Sequence, residues 1–187
     1  MTVTGLCLYK TYSCQQHPET FDAFKILFDS FSPDIIIEVG TGSGGFTIFL
    51  DDIKPHETRL LTCDIRRMHD EITRRKIETI TDILLEENYL LVKTLLGSHK
   101  KPLLLCDGGN KIKEFKMFAN YLPVGGVIMC HDFCPTIEYF KENMRDKRWN
   151  WCEILGTDIV DDIAANNLKP FMAELFTPIA WGCFQKD

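Results

Sequence analysis

Four β-branched residues around one acid, followed by four glycines in six positions, constrain this chain more than any other feature in it. Asp34–Phe46 reads DIIIEVGTGSGGF, with Ile35, Ile36, Ile37 and Val39 enclosing Glu38, and Gly40, Gly42, Gly44 and Gly45 following. A continuous β-branched run without polar alternation is a strand covered on both faces, and a glycine cluster at its end is a tight turn into a helix. Glycine suits that turn because the backbone must take positive φ and come close to a bound molecule, where a Cβ would intrude. A turn with no ligand and a nucleotide-binding turn read alike from these residues alone, so the rest of the chain has to decide.

The flanking sequence supplies strands and helices in alternation. Pro18–Phe31 has helical spacing of Phe21, Phe24, Leu27, Phe28 and Phe31, and Ser32-Pro33 stops it. Thr47–Ile53 is the crossover helix, and Arg59–Ile65 a second strand whose acid, Asp64, lies 24 positions after Gly40. Lys76–Ile80 reads as a short third strand, although Arg66–Asp82 could equally be one helix. Leu84–Leu96 is a helix stopped by Gly97, and Pro102–Cys106 a strand ending in Asp107. The helix Ile112–Tyr121, the strand Val127–Cys130 ending in His131-Asp132, the helix Pro135–Arg148 and a last strand Ala180–Gln185 complete the reading. Trp149–Pro178 yields no clear pattern. Alternation of this kind implies a mainly parallel sheet covered on both faces, with ligands at the carboxyl ends of its strands.

Composition narrows the class. At 187 residues, with 45% apolar and 26% charged residues, one domain with an ordinary core is expected. No stretch is long and apolar enough to span a membrane, and MTVTGLCLYKTYSC does not resemble a targeting peptide, so a cytoplasmic setting is expected. Of eight cysteines, Cys63, Cys106 and Cys130 fall inside expected strands and there is no CxxC pair, which argues for free thiols. A net charge of −6 gives no global pull toward nucleic acid. The basic cluster Arg66, Arg67, Arg74, Arg75 and Lys76 reads more readily as a solvated mixed-charge segment than as a phosphate site. The aromatic-rich end, including Trp149, Trp151 and Trp181, could form core or a homodimer face.

The acids at the strand ends carry the candidate chemistry. Asp64 sits where a carboxylate can accept both hydroxyls of a ribose, with helix capping as the alternative.

EVGTGSGGF, the acid after the second strand, LLLCDGG and LPVGGVIMCHDF together resemble the class I S-adenosylmethionine-dependent methyltransferases. The segment from Gln15-Gln16 through PDIIIEVGTGSGG is similar to the branch holding cephalosporin hydroxylase-like proteins and small O-methyltransferases. The resemblance covers roughly residues 15–140. It implies an α/β, Rossmann-like, doubly wound fold with a mainly parallel seven-stranded sheet and an antiparallel last strand. Residues 1–33 would then be an N-terminal helical segment covering the acceptor site. It implies S-adenosylmethionine as cofactor, held by Glu38, Gly40, Thr41, Gly42, Gly44, Asp64, Asp82 near adenine, and Asp107. It further implies a divalent cation such as Mg2+ on Asp107 and Asp132, which neighbouring strand ends could share, with Asn110 or water completing the set. Capping of the helices after them is the alternative, and His131 stands where metal-dependent members commonly have another acid or amide. His131 is a general base or a core histidine, and Lys111 a base, a metal-site partner or a surface lysine. The implied activity is O-methylation of a small hydroxylated molecule. An NAD-dependent oxidoreductase shares the fold and is a rival reading; a non-catalytic binding module is the other alternative.

Overall fold

The computed structural model describes residue 5 and residues 7–66 and 68–187, so Arg67 of the basic cluster lies outside the described residues. The chain opens with an antiparallel hairpin, β1 (Cys7–Tyr9) and β2 (Tyr12–Cys14), before helix α1 (Thr20–Ser30). The helix agrees with the reading of Pro18–Phe31, but the hairpin corrects the expectation that the N-terminal segment is helical throughout. Three-residue strands carry too little alternation to be seen in a sequence.

Next come β3 (Ile35–Val39), α2 (Gly45–Ile53), β4 (Arg59–Cys63), α3 (Asp70–Arg74), β5 (Glu78–Ile80) and α4 (Glu86–Ser98). The short strand is therefore real, and Arg66–Asp82 is not one helix. Gly97 does not stop α4, which runs through it to Ser98. β6 (Pro102–Cys106) and α5 (Lys111–Phe118) follow, then β7 (Val127–His131) and the two-residue β8 (Phe133–Cys134). In place of the expected helix Pro135–Arg148 there is only α6 (Ile137–Tyr139) running into a π turn over Phe140–Met144. The stretch without pattern holds β9 (Ile154–Leu155), α7 (Gly156–Ala165), β10 (Leu168–Pro170) and α8 (Ala173–Phe176), and β11 (Trp181–Lys186) ends the fold.

Seven strands form the main sheet in the order β10-β11-β7-β6-β3-β4-β5. β11 is antiparallel to both neighbours and the remaining adjacent pairs are parallel. The fold is thus the expected α/β doubly wound sheet with an antiparallel last strand. β10 was illegible because two of its three residues, Lys169 and Pro170, are exposed at the sheet edge.

Side-chain alternation along β3 builds both layers. Ile35 and Ile37 join a core with Val92, Leu96, Phe115 and Phe118, whereas Ile36 faces Phe24, Leu27, Phe49 and Trp181. All three isoleucines are fully buried, as the unbroken apolar run requires. Chain order reverses across β3, with β4 on one side and β6 on the other, so a crevice opens beyond its carboxyl end.

All eight cysteines are free, and Cys63, Cys106 and Cys130 are buried in β4, β6 and β7. Within the basic cluster Arg75 pairs with Asp51, Asp52 and Glu71, and Arg74 with Glu71. Trp149, Phe176, Trp181 and Phe184 of the aromatic-rich end are core, while Trp151 is partly exposed. Among the described residues no helix is long and apolar enough to cross a membrane.

Candidate active site

The turn after β3 lies in the crevice and its glycines answer different demands. Gly40, Gly42 and Gly44 all have positive φ, at 100°, 54° and 83°. A Cβ on Gly40 would strike the Asp107 carbonyl at the end of β6, whereas one on Gly42 would meet only open space. The first glycine therefore lets two strand ends close up, and the second leaves backbone facing the crevice. Asp64 bridges the turn: one carboxylate oxygen accepts the Gly42 N–H at 2.7 Å and the other the Arg66 N–H at 2.8 Å. It does not cap a helix, because His69 caps α3 through the Glu71 N–H.

A cavity of about 470 Å³ is lined by Gly40, Thr41, Gly42 and Gly44 of the turn, by Asp64, and by Asp107, Lys111, His131 and Asp132 across the crevice. A second, of about 340 Å³, shares Gly40 and Asp64 with it and continues past β5, where Asp82, Ile83 and Asn110 line it. Asp82 accepts the Leu84 N–H at 2.8 Å.

Glu38 is the expected ligand residue that lines neither cavity. It is fully buried behind the turn, where one carboxylate oxygen accepts hydrogen bonds of 2.5 Å from Thr47 on α2 and Thr62 on β4. Thr62 is in turn bonded to Thr41, at 2.6 Å. With its hydrogen spent on Glu38, the Thr62 oxygen accepts from Thr41, so Glu38 holds the turn through two hydroxyls. Burial outweighs both hydroxyl hydrogen bonds and pushes the Glu38 carboxyl up to about 7.

On the far wall, the Asp107 carboxylate accepts the Gln16 side-chain N–H at 2.7 Å on one oxygen and meets His131 Nδ1 at 2.9 Å on the other. A carboxylate only accepts, so Nδ1 carries the hydrogen and Nε2 is left as an acceptor in the neutral ring. Nε2 is buried and has no hydrogen-bond partner among the described residues. The ring packs on Trp181 and Trp149, with centroids 4.8 and 5.2 Å away. Burial alone would lower the His131 pKa, but the Asp107 and Asp132 carboxylates reverse this and hold it above the ordinary value. A core position and an unspent basic nitrogen coexist in this residue.

Asp132 takes a left-handed backbone at φ 55°. Its carbonyl accepts the Glu153 N–H at 2.9 Å and its carboxylate the Trp149 indole N–H at 2.6 Å. Lys111 corrects the surface reading: its side chain is 6% exposed, and its ammonium lies 2.8 Å from Glu153 Oε2 and 3.1 Å from Asp132 Oδ2. Burial works against the charge, but Asp107, Asp132 and Glu153 overcome it and raise the Lys111 pKa, so this amine stays protonated and is no general base. The capping alternative for Asp107 and Asp132 also fails. Asn110 caps α5 by accepting the Lys113 N–H, which occupies the side-chain oxygen expected to help a metal, and Thr136 caps α6 by accepting the Tyr139 N–H.

Gln16, Trp149 and Glu153 complete this wall without having been singled out for it by sequence. Gln16 stood in the quoted resemblance with no role, and the other two fall in the patternless stretch.

No family model matches the chain, and no curated protein matches it. Solved structures do. A CmcI structure with Mg and S-adenosylmethionine superposes with a TM-score of 0.66 at 13% identity, covering 97% of this chain and 76% of that one. This chain has the class I methyltransferase fold. The methyltransferase MycE of the mycinamycin biosynthetic pathway, in complex with Mg and S-adenosylhomocysteine, gives a TM-score of 0.55 at 15% identity over 90% of this chain and 48% of its own. A putative O-methyltransferase from Nostoc punctiforme gives 0.54 at 11% identity, over 89% and 56%.

Both cofactors that this fold suggests can be set against the residues present. The two cavities meet at Gly40 and Asp64, giving an elongated space with exposed turn backbone and a ribose-suited carboxylate, which fits an adenosyl amino acid. For a metal, Asp107, His131 and Asp132 offer ligand atoms within 4.8 Å of one another, so spacing alone permits an ion. The donors around them do not, because each of the four carboxylate oxygens already faces an N–H or ammonium group.

Proposed function

We propose that the chain is an S-adenosylmethionine-dependent methyltransferase that methylates a hydroxyl oxygen of a small molecule. The observation that carries this reading is the Asp107–His131 pair: a buried, oriented imidazole with an unpartnered acceptor nitrogen, in a residue that lines the same cavity as the glycine turn and Asp64.

Bound S-adenosylmethionine supplies an electrophilic methyl group on a sulfonium. Gly42 leaves room for its amino-acid and ribose parts, and Gly40, Gly44 and Thr41 line the same cavity, with Thr41 held by Glu38 from behind. Asp64 keeps its outward lone pairs for the ribose hydroxyls, and Asp82 and Ile83 line the end that suits adenine. His131 Nε2 would take the proton of the acceptor hydroxyl, while the bound cofactor would supply the methyl group that this oxygen gains and keep the carbon–sulfur electron pair on its sulfur. Asp107 fixes the ring and supports the imidazolium that forms. Holding acceptor and methyl in line supplies most of the rest, on the order of 7–11 kcal/mol in favourable intramolecular cases. Residues 12–17, running from β2 of the hairpin toward α1, wall the cavity through Ser13, Cys14, Gln15 and Gln16 and would meet the acceptor.

Calorimetric titration with S-adenosylmethionine, S-adenosylhomocysteine and NAD tests the reading. Micromolar binding of the two adenosyl compounds with none of NAD is expected; binding of NAD alone would overturn it. In the same assay Asp64→Ala should weaken S-adenosylhomocysteine by about 1.5–3 kcal/mol, the usual size of a hydrogen bond to a charged group.

A further inference from the structure

We infer that the Lys111 ammonium is the resident cation of this site, standing where a metal-dependent relative would hold a divalent ion, and that the chain binds no divalent metal between Asp107 and Asp132. The bearing on methyl transfer rests on the proposed function; the cation chemistry does not.

An ammonium has three hydrogens, and Lys111 has three acceptors at bonding distance: Glu153 Oε2 at 2.8 Å, Asp132 Oδ2 at 3.1 Å and the Gly108 carbonyl at 3.2 Å. Asp107 Oδ1 lies at 3.8 Å, close enough for attraction without a hydrogen bond. Oxygens from four residues therefore surround one positive charge, as they would a hard metal ion. Both oxygens of Asp107 and the other oxygen of Asp132 are turned to Gln16, His131 and Trp149, all of which present N–H. A divalent ion would have to displace the ammonium from a site where it is nearly enclosed, and strip N–H donors from the oxygens it needed. Two like charges a few ångströms apart exclude one another at this depth.

The lysine also bears on the histidine. With a fixed cation paired to Asp132 and Glu153, Asp107 is free to orient the imidazole, whose Nε2 stays an unspent acceptor because no metal claims it.

Manganese is the probe, because its paramagnetism reports free ion directly. Wild-type protein in millimolar Mn2+ should bind none between these carboxylates, and its affinity for S-adenosylhomocysteine should agree within twofold in EDTA and in Mg2+. Lys111→Met should gain one Mn2+ per chain at submillimolar affinity, and lose it again on adding Asp132→Asn. Should Lys111→Met unfold without metal, Mn2+ should restore its folding; failure to do so counts against the inference. One Mn2+ bound by wild type and abolished by Asp132→Asn, or a folded Lys111→Met that binds none, would overturn it. Absence of S-adenosylhomocysteine binding would defeat the proposed function while leaving the manganese result to decide the cation.

Discussion

Glu38 and His131 show how single side chains are set by what surrounds them. Glu38 has a folded pKa raised to about 7 by burial. The folded state thus holds this proton more tightly than the unfolded state, and stability is lost as the pH rises from about 4.5 through 7. At about 1.4 kcal/mol per pKa unit that loss is roughly 3 kcal/mol. Glu38→Gln, which cannot ionise, should flatten this part of the stability profile, measured by urea unfolding at pH 5 and pH 7.5. An unchanged slope would mean that other groups set it. For His131 the sign in catalysis is the opposite, since the neutral ring accepts the proton: the rate should rise with pH through a value above 6.5. His131→Gln should lower kcat by about 10²–10⁴-fold and abolish that rise. At this scale the sequence could name polar residues near the crevice but not their surroundings. Glu38, Lys111 and Asn110 could be flagged as polar residues at strand ends and helix starts, but their burial and partners depend on three or four chain segments meeting.

At the scale of elements, the turn after β3 and the hairpin β1–β2 are one assembly. A Cβ at Gly45, the first residue of α2, would collide with the Ser13 carbonyl of β2. Gly45→Ala should therefore destabilise by about 1–3 kcal/mol, the usual cost of overpacking, and weaken S-adenosylhomocysteine binding as the hairpin lifts. Denaturant unfolding and calorimetry read the two effects separately. β3, β4, β6 and β7 were legible because each is an apolar run largely buried on both faces, whereas the parallel edge strand β5 is mostly exposed and read equally as helix. The hairpin, β8, β9 and β10 were not, being two or three residues long and defined by partners rather than by their own pattern. Pro135–Arg148 misled because its apolar spacing is helical, yet the backbone leaves the α-helix after one turn so that Phe140, Met144 and Trp149 can pack together.

For the molecule as a whole, Gln16 ties distant parts of the chain to the site. Its amide N–H reaches Asp107 and its oxygen accepts the indole N–H of Trp181, at 2.9 Å and across 165 residues. Trp181 is fully buried at the start of β11, between the sheet and α1. Trp181→Ala should cost about 3–5 kcal/mol in unfolding free energy through the lost ring. Gln16→Ala should cost less, about 1–3 kcal/mol, by leaving two buried partners unpaired. Equal losses in the two variants would show that the tether, not the ring, dominates. The same tether dictates an order of events during synthesis. Gln16 and the His131 ring acquire their full set of partners only after residue 181 has emerged and β11 has taken its place between β7 and β10. A closure over so many residues is entropically slow and comes late. The crevice wall opposite the glycine turn is therefore completed only when β11 is in place.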